Sequence, residues 1–110
     1  MKEFKLQAKC FQHHWNNFPD ERGLLFTVNN NSNSRYDGAV MKAMGVVAGV
    51  SDMIYLSSKG PVCLEFKTEV GKQNDRQKWW ENQVRQAGYR YEIIRTFEDF
   101  LAILQANDRI

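Results

Sequence analysis

The sequence predicts a mixed α/β fold, a central sheet with helices on both faces. Three observations lead there. Two short apolar segments, starting after Asp52 and ending near Lys67, are separated by Lys59-Gly60, the pattern of a β-hairpin. Segments with the 3.6-residue periodicity of amphipathic helices precede the hairpin, follow it and close the chain. A last β-type segment, Tyr89 to Arg95, comes after a helical one, as a crossover connection requires. The predicted order is α–β–α–β–β–α–β–α.

The first helix is expected over residues 2–17. Phe4, Ala8, Phe11 and Trp15 recur at i, i+4, i+7 and i+11 and form its predicted packing stripe. Glu3 and Gln7 fall at the edge of that stripe. His13 and His14 diverge by about 100° on a helix, so they do not share one metal ion and read as surface or boundary residues. Asn17 to Gly23 carries the turn residues that end the helix. Leu24 to Val28 is an apolar strand predicted to lie centrally in the sheet. Asn29 to Ser34 is a polar loop, either a plain surface segment or a flap over a ligand. Ser34 and Asp37 have capping-box spacing, predicting a helix from Arg35 to Met44 that buries Tyr36, Val40, Ala43 and Met44.

Gly45 is placed as that helix's stop, and Gly49 gives the backbone room just before Ser51-Asp52. The hairpin follows, with Pro61 at a strand start where a missing N–H is tolerated. Asn74 is the expected N-cap of a helix to Ala87 that stops at Gly88. Its packing stripe is Trp80, Val84 and Ala87, which leaves Trp79 pointing outward as a candidate interface residue. Gln77 shares the Trp80 face and also occupies the third position of a capping box, which by itself explains it. Thr96 caps a last helix with Phe97, Phe100, Leu101 and Leu104 on one face.

At 110 residues the chain is expected to form one domain, residues 1–110, with a sizeable core. Hydrophobic residues at 43% and charged ones at 25% fit a globular protein. The longest apolar run is far shorter than a membrane span, and Met-Lys-Glu-Phe-Lys lacks the hydrophobic core of a signal peptide, so a cytoplasmic location is expected. Cys10 and Cys63 lack metal-type spacing and read as buried thiols in a reducing compartment. A net charge of +2 does not by itself indicate nucleic acid; a DNA partner would need the basic residues gathered on one face.

The chemistry concentrates on the hairpin. Asp52 opens its first strand, and Glu65-Phe66-Lys67 closes the second, with Glu65 and Lys67 on one face and Phe66 on the other. Residues 53–64 intervene, the length of one strand, a tight turn and most of a second strand. That spacing brings both carboxylates within reach of one cation. Oxygen-only ligands favour Mg²⁺ or Mn²⁺ over zinc, and Mg²⁺ keeps waters, leaving room for a phosphate oxygen and an attacking water. Lys67 would orient or deprotonate that water, or stabilise charge developing on phosphate. The bland alternative is a surface Glu–Lys pair with Asp52 as a turn residue.

The combination of Glu3-x-x-x-Gln7, Gly45-Val-Val-Ala-Gly-Val-Ser-Asp52, Leu64-Glu-Phe-Lys-Thr68, Gln77-x-x-Trp80 and Gly88-Tyr89 resembles the PD-(D/E)xK nuclease superfamily. Within it, the pattern resembles the VRR-NUC (virus-type replication-repair nuclease) family over most of the chain. The resemblance implies a restriction-endonuclease-like core. It implies that Asp52 and Glu65 bind the metal, with the Phe66 carbonyl as a further contact, and that Lys67 is catalytic. Glu3, Gln7 and Gln77 match supporting positions, which turns Gln7 from a tolerated core polar group into a residue facing the site. Ser51 departs from the family's usual proline. Stand-alone phage or bacterial members look like homodimers similar to Holliday-junction resolvases, which nick paired strands of branched DNA. The alternatives are a catalytically idle junction-binding module, or a nuclease preferring flaps, ends or plain duplex. Arg35, Lys42, Lys72, Arg76 and Lys78 are the candidate phosphate contacts.

Overall fold

The computed structural model describes residues 2–28 and 37–106. The elements are α1 (Glu3–Asn17), a 3₁₀ turn (Pro19–Glu21), β1 (Leu25–Thr27), α2 (Gly38–Ala43), β2 (Met53–Ser57), β3 (Gly60–Phe66), α3 (Asp75–Gln86), β4 (Arg90–Ile94) and α4 (Phe97–Ala106). This is the predicted order. The Asn29 to Ser34 loop lies outside the described residues.

The four strands form one sheet in the order β1-β2-β3-β4. β1 and β2 pair antiparallel, as do β2 and β3, whereas β3 and β4 run parallel. A parallel pair needs a long crossover, which α3 supplies. The leading apolar segment, expected to be central, is therefore an edge strand. Leu25 is buried, but Leu24 and Phe26 are 37% and 40% exposed. Its apolar run mimics a two-sided buried strand, yet only one face meets the core.

Two apolar clusters sandwich the sheet. Val62, Leu64 and Phe66 of β3 join Met53, Tyr55, Ile94 and residues of α1 and α4 on one side. Cys63 and Tyr91 join Val84 of α3 on the other, flanked by Ile54, Trp80 and Ile93. Period-two alternation along β3 thus assigns even-numbered residues to one cluster and Cys63 to the other. Ala87, expected in the α3 stripe, is exposed, and Trp79 stands outward at 53%.

Helix α1 buries a different face from the predicted one. Leu6, Cys10 and His14 are buried, whereas Phe4 is 64% and Trp15 41% exposed. His14 is thus a core residue rather than a surface one. Its Nε2 lies 2.9 Å from Glu21 Oε1, and the Tyr55 hydroxyl donates to the same oxygen at 2.8 Å. A histidine counts against a buried face until a partner satisfies it, and this partner comes from a different element. Instead, Trp15 packs on Phe11, with the Arg22 guanidinium over its ring.

Helix α2 is shorter than expected and buries none of its residues; Val40 is 41% and Met44 63% exposed. Its cap is Asp37, whose Oδ1 accepts the Val40 N–H at 2.8 Å. Ser34, Arg35 and Tyr36 lie outside the described residues. An apolar pattern on so short a helix marks a face without determining that anything covers it.

Helices α3 and α4 obey their local signals. Asn74 and Gln77 form a reciprocal capping box, each accepting the other's backbone N–H at 2.9 Å. Gly88 (φ +90) closes α3, with the Tyr89 N–H returning to the Val84 carbonyl in a Schellman arrangement. Thr96 Oγ1 accepts from the Asp99 N–H, and Asp99 Oδ2 accepts from the Thr96 N–H, starting α4. Cys10 and Cys63 are buried free thiols.

Candidate active site

Hairpin register brings the two acids together. Met53 pairs with Leu64, so one more step along the ladder sets Asp52 opposite Glu65. Both follow the alternation of Ile54 and Cys63 toward the face covered by α3.

The segment leading to Asp52 is shaped by close packing. Gly49 (φ +91) lies against the backbone of Arg76 in the first turn of α3, where a Cβ would come within 2.5 Å of that carbonyl group. Ser51 is buried and its Oγ donates to the Met53 carbonyl at 3.1 Å. That bond constrains the turn into β2 at the position where the family pattern uses proline. The Asp52 carbonyl accepts from the Val28 N–H at 2.8 Å and from Thr27 Oγ1 at 3.2 Å, tying the residue to β1.

The Asp52 carboxylate accepts the Phe66 N–H at 2.7 Å through Oδ2. Burial raises its pKa above the ordinary carboxylate value. The Phe66 N–H and Lys67 work against that rise without cancelling it, while the negative charges of Glu65 and Glu3 add to it. Glu3 and Lys67 therefore both lie within electrostatic reach of Asp52.

Glu65 is 1% exposed. Its Oε1 accepts from the Tyr91 hydroxyl and from Gln73 Nε2, the latter at 3.3 Å. Its Oε2 is buried and has no hydrogen-bond partner among the described residues. A buried carboxylate oxygen left unpaired is costly. It is also what a hard cation would occupy, so the donor set fits a divalent metal that takes oxygen ligands.

The other sequence candidates divide. Gln7 Nε2 donates to Thr27 Oγ1 at 3.2 Å, so it supports Asp52 through the hydroxyl that donates to the Asp52 carbonyl. Gln77 uses its side-chain oxygen in the α3 cap. Lys67 follows Glu65 by two residues, its N–H bonded to the Ile94 carbonyl at 3.0 Å. The loop beyond it is clamped by Arg95, whose Nη1 donates to the Thr68 and Gly71 carbonyls at 2.8 and 2.7 Å. Lys42, Lys72, Arg76 and Lys78 are exposed, and Arg76 lies against the Gly49 loop. Arg35 falls outside the described residues.

Sequence reasoning missed Tyr91, Gln73, Thr27 and Arg95. Only Tyr91 left a signal: a tyrosine on a buried strand needs a partner for its hydroxyl. It also missed Lys2 and Lys5, which with Thr68, Glu69 and Val70 line a broad depression beside the segment that follows Lys67. A smaller hollow is walled by Phe4, Gln7, Ala8, Phe11, Thr27 and Met53.

No protein-family profile and no curated protein matches the chain. Solved structures do match, and two of them are described as VRR_NUC. One, described as a VRR_NUC domain protein, aligns with a TM-score of 0.76 over 97% of this chain and 88% of its own, at 17% identity. Another, described as a VRR_NUC domain, aligns with a TM-score of 0.65 over 96% of each chain, at 18% identity. At these identities the likeness is one of backbone architecture. The chain therefore has the restriction-endonuclease-like fold of VRR_NUC domains.

Proposed function

We propose that this protein is a metal-dependent DNA endonuclease that hydrolyses phosphodiester bonds in branched DNA, in the manner of a Holliday-junction resolvase. The observation that carries the proposal is the buried Oε2 of Glu65, opposite Asp52 and without a hydrogen-bond partner among the described residues. The fold shared with structures described as VRR_NUC domains supports a nuclease.

Asp52 and Glu65 would hold Mg²⁺ or Mn²⁺, with the Phe66 carbonyl as a further ligand. Among the described residues no group of three or more His, Cys, Asp or Glu side chains is placed to hold a metal ion, and the proposed site has two carboxylates. Few protein ligands suit magnesium, which retains several waters. A cation held there would supply Lewis acidity toward a phosphate oxygen and would make water at the site more acidic. Lys67 would bring positive charge to the pentacoordinate phosphorane-like transition state or, as the neutral amine, would take a proton from the attacking water. Gln7, acting through Thr27, holds the Asp52 main chain, and Glu3 adds negative charge that favours the cation. Gln77 fixes the start of α3, against which the Gly49 loop rests.

Lys2 and Lys5, beside the loop after Lys67, extend the candidate phosphate track beyond Lys42, Lys72, Arg76, Lys78 and Arg35. A homodimer would place two such sites about a two-fold axis, matching paired cuts in a junction, and outward Trp79 is the candidate interface residue.

The test is cleavage of labelled four-way junctions, flaps, ends and duplex with Mg²⁺, Mn²⁺ or EDTA, alongside a sizing column. Lys67→Ala should lose at least about 100-fold in rate while remaining folded. Unchanged cleavage by that variant would overturn the mechanism. Tight junction binding without turnover under either metal would identify an idle binding module. Faster cutting of flaps, ends or duplex would replace the junction as substrate.

A further inference from the structure

Glu65 is held at one oxygen only. Its Oε1 receives both the Tyr91 hydroxyl of β4 and the Gln73 amide of the loop before α3, while Oε2 receives nothing from the described residues. The Gln73 amide is itself oriented, since its nitrogen also donates to Glu81 Oε1 at 2.9 Å. A flipped amide would aim its carbonyl oxygen at two carboxylates. Arg85 then completes a circuit. It donates to Glu81 Oε2 at 2.8 Å and to the Tyr91 main-chain carbonyl at 3.0 Å. Burial draws the Glu81 carboxyl upward in pKa, but Gln73 and Arg85 outweigh it and leave it below the ordinary value, so it is a stable anion for the amide to lean on. Tyr91 is 1% exposed and its ring packs edge-on to Trp80, so its hydroxyl has little freedom.

From this closed circuit we infer that Tyr91 and Gln73 are positioning residues that tie up Glu65 Oε1 and present Oε2 alone to a divalent cation. The inference rests on the metal site proposed above and adds to it the ligation mode of Glu65, together with two residues that set it. Partners behind a ligating carboxylate fix its orientation, and their loss costs about 10- to 100-fold in metal affinity. Without them, Glu65 is free to rotate or to offer both oxygens, and the site loses its preformed geometry.

The experiment is Mn²⁺ binding to the full chain, followed by calorimetry and by the Mn²⁺ paramagnetic resonance signal, without DNA. Tyr91→Phe removes only the hydroxyl and keeps the ring against Trp80. It should weaken Mn²⁺ binding about 10-fold or more. Gln73→Leu, a substitution in a loop, carries the same expectation and stands in should Tyr91→Phe fail to fold. A purely structural role for these residues would shift the melting temperature but leave Mn²⁺ affinity unchanged. Wild-type affinity in both folded variants, alongside loss of binding in Glu65→Ala, would overturn the positioning role and leave the metal site standing. If wild-type protein binds Mn²⁺ no better than Glu65→Ala, the metal site falls, and the positioning role with it.

Discussion

Replacing Glu65 by glutamine should stabilise the metal-free protein while removing its response to metal. The side chain is 1% exposed, so solvent does not relieve the unpaired Oε2. A glutamine of the same shape can keep its carbonyl at the Oε1 position, where Tyr91 and Gln73 still donate. Its amide nitrogen then takes the place of Oε2 and leaves a neutral group unpaired instead of a charged oxygen. An unsatisfied buried group costs about 1–3 kcal/mol, and more when charged. The exchange should therefore raise stability by about 1–2 kcal/mol. For a domain of this size that is a rise in melting temperature of roughly 4–16 °C. With Mg²⁺ at about 100 times its dissociation constant, the wild type gains about 2.7 kcal/mol that Glu65→Gln cannot gain. The order of stability then reverses. Thermal and urea unfolding in EDTA and in Mg²⁺ would show both halves. A Glu65→Gln protein less stable than wild type in EDTA, or one that gains as much from Mg²⁺, would refute the reasoning.

Three further outcomes follow from packing and burial. Gly49→Ala combines a positive φ with a Cβ placed 2.5 Å from the Arg76 carbonyl group, and should cost about 3 kcal/mol, seen as a drop of roughly 12–24 °C in melting temperature; a melt within a few degrees of wild type would show that the loop gives way easily. Burial pushes the Cys10 thiol from 9.0 up to about 12, and raises Cys63 as well. Both thiols should stay silent to a thiol reagent near pH 8 until the chain is unfolded. Because the folded pKa of Cys10 lies above the unfolded one, the unfolded chain releases that proton first, and stability should fall as pH climbs from about 9 toward 12. Urea midpoints at a series of alkaline pH values check this, and rapid labelling of Cys10 in the native state would contradict it.

Local chemistry was legible where the partner lies within a few residues. The start of α3 rests on Asn74 and Gln77, three residues apart, and its end on Gly88; the start of α4 rests on Thr96 and Asp99. Gly49 before Asp52 differs: a glycine there signals a need for space, but the group that crowds it, the Arg76 backbone, is distant in sequence. Errors arose where burial depends on a remote partner. The buried line of α1 runs through His14, acceptable because Glu21 Oε1 meets its Nε2, with the Tyr55 hydroxyl donating to that same oxygen. The first strand's apolar run reads as central, but the strand order puts it at the edge. Helix α2 carries apolar residues, yet none of them is buried among the described residues.

The candidate site divides along the same line. Period-two alternation and hairpin length alone place Asp52 across from Glu65 and set Lys67 two residues on, because a ladder's geometry repeats from pair to pair. The sequence by itself therefore determined which acids face each other and in what order the elements run. Only the tertiary structure decided that Glu65 is buried with one oxygen held by Tyr91 and Gln73 and the other unpaired, that Gln7 acts through Thr27, and that Lys2 and Lys5 flank the segment after Lys67. Those relations join residues up to tens of positions apart on different elements. Burial and hydrogen-bond satisfaction belong to the packed assembly, and no short window of sequence contains them.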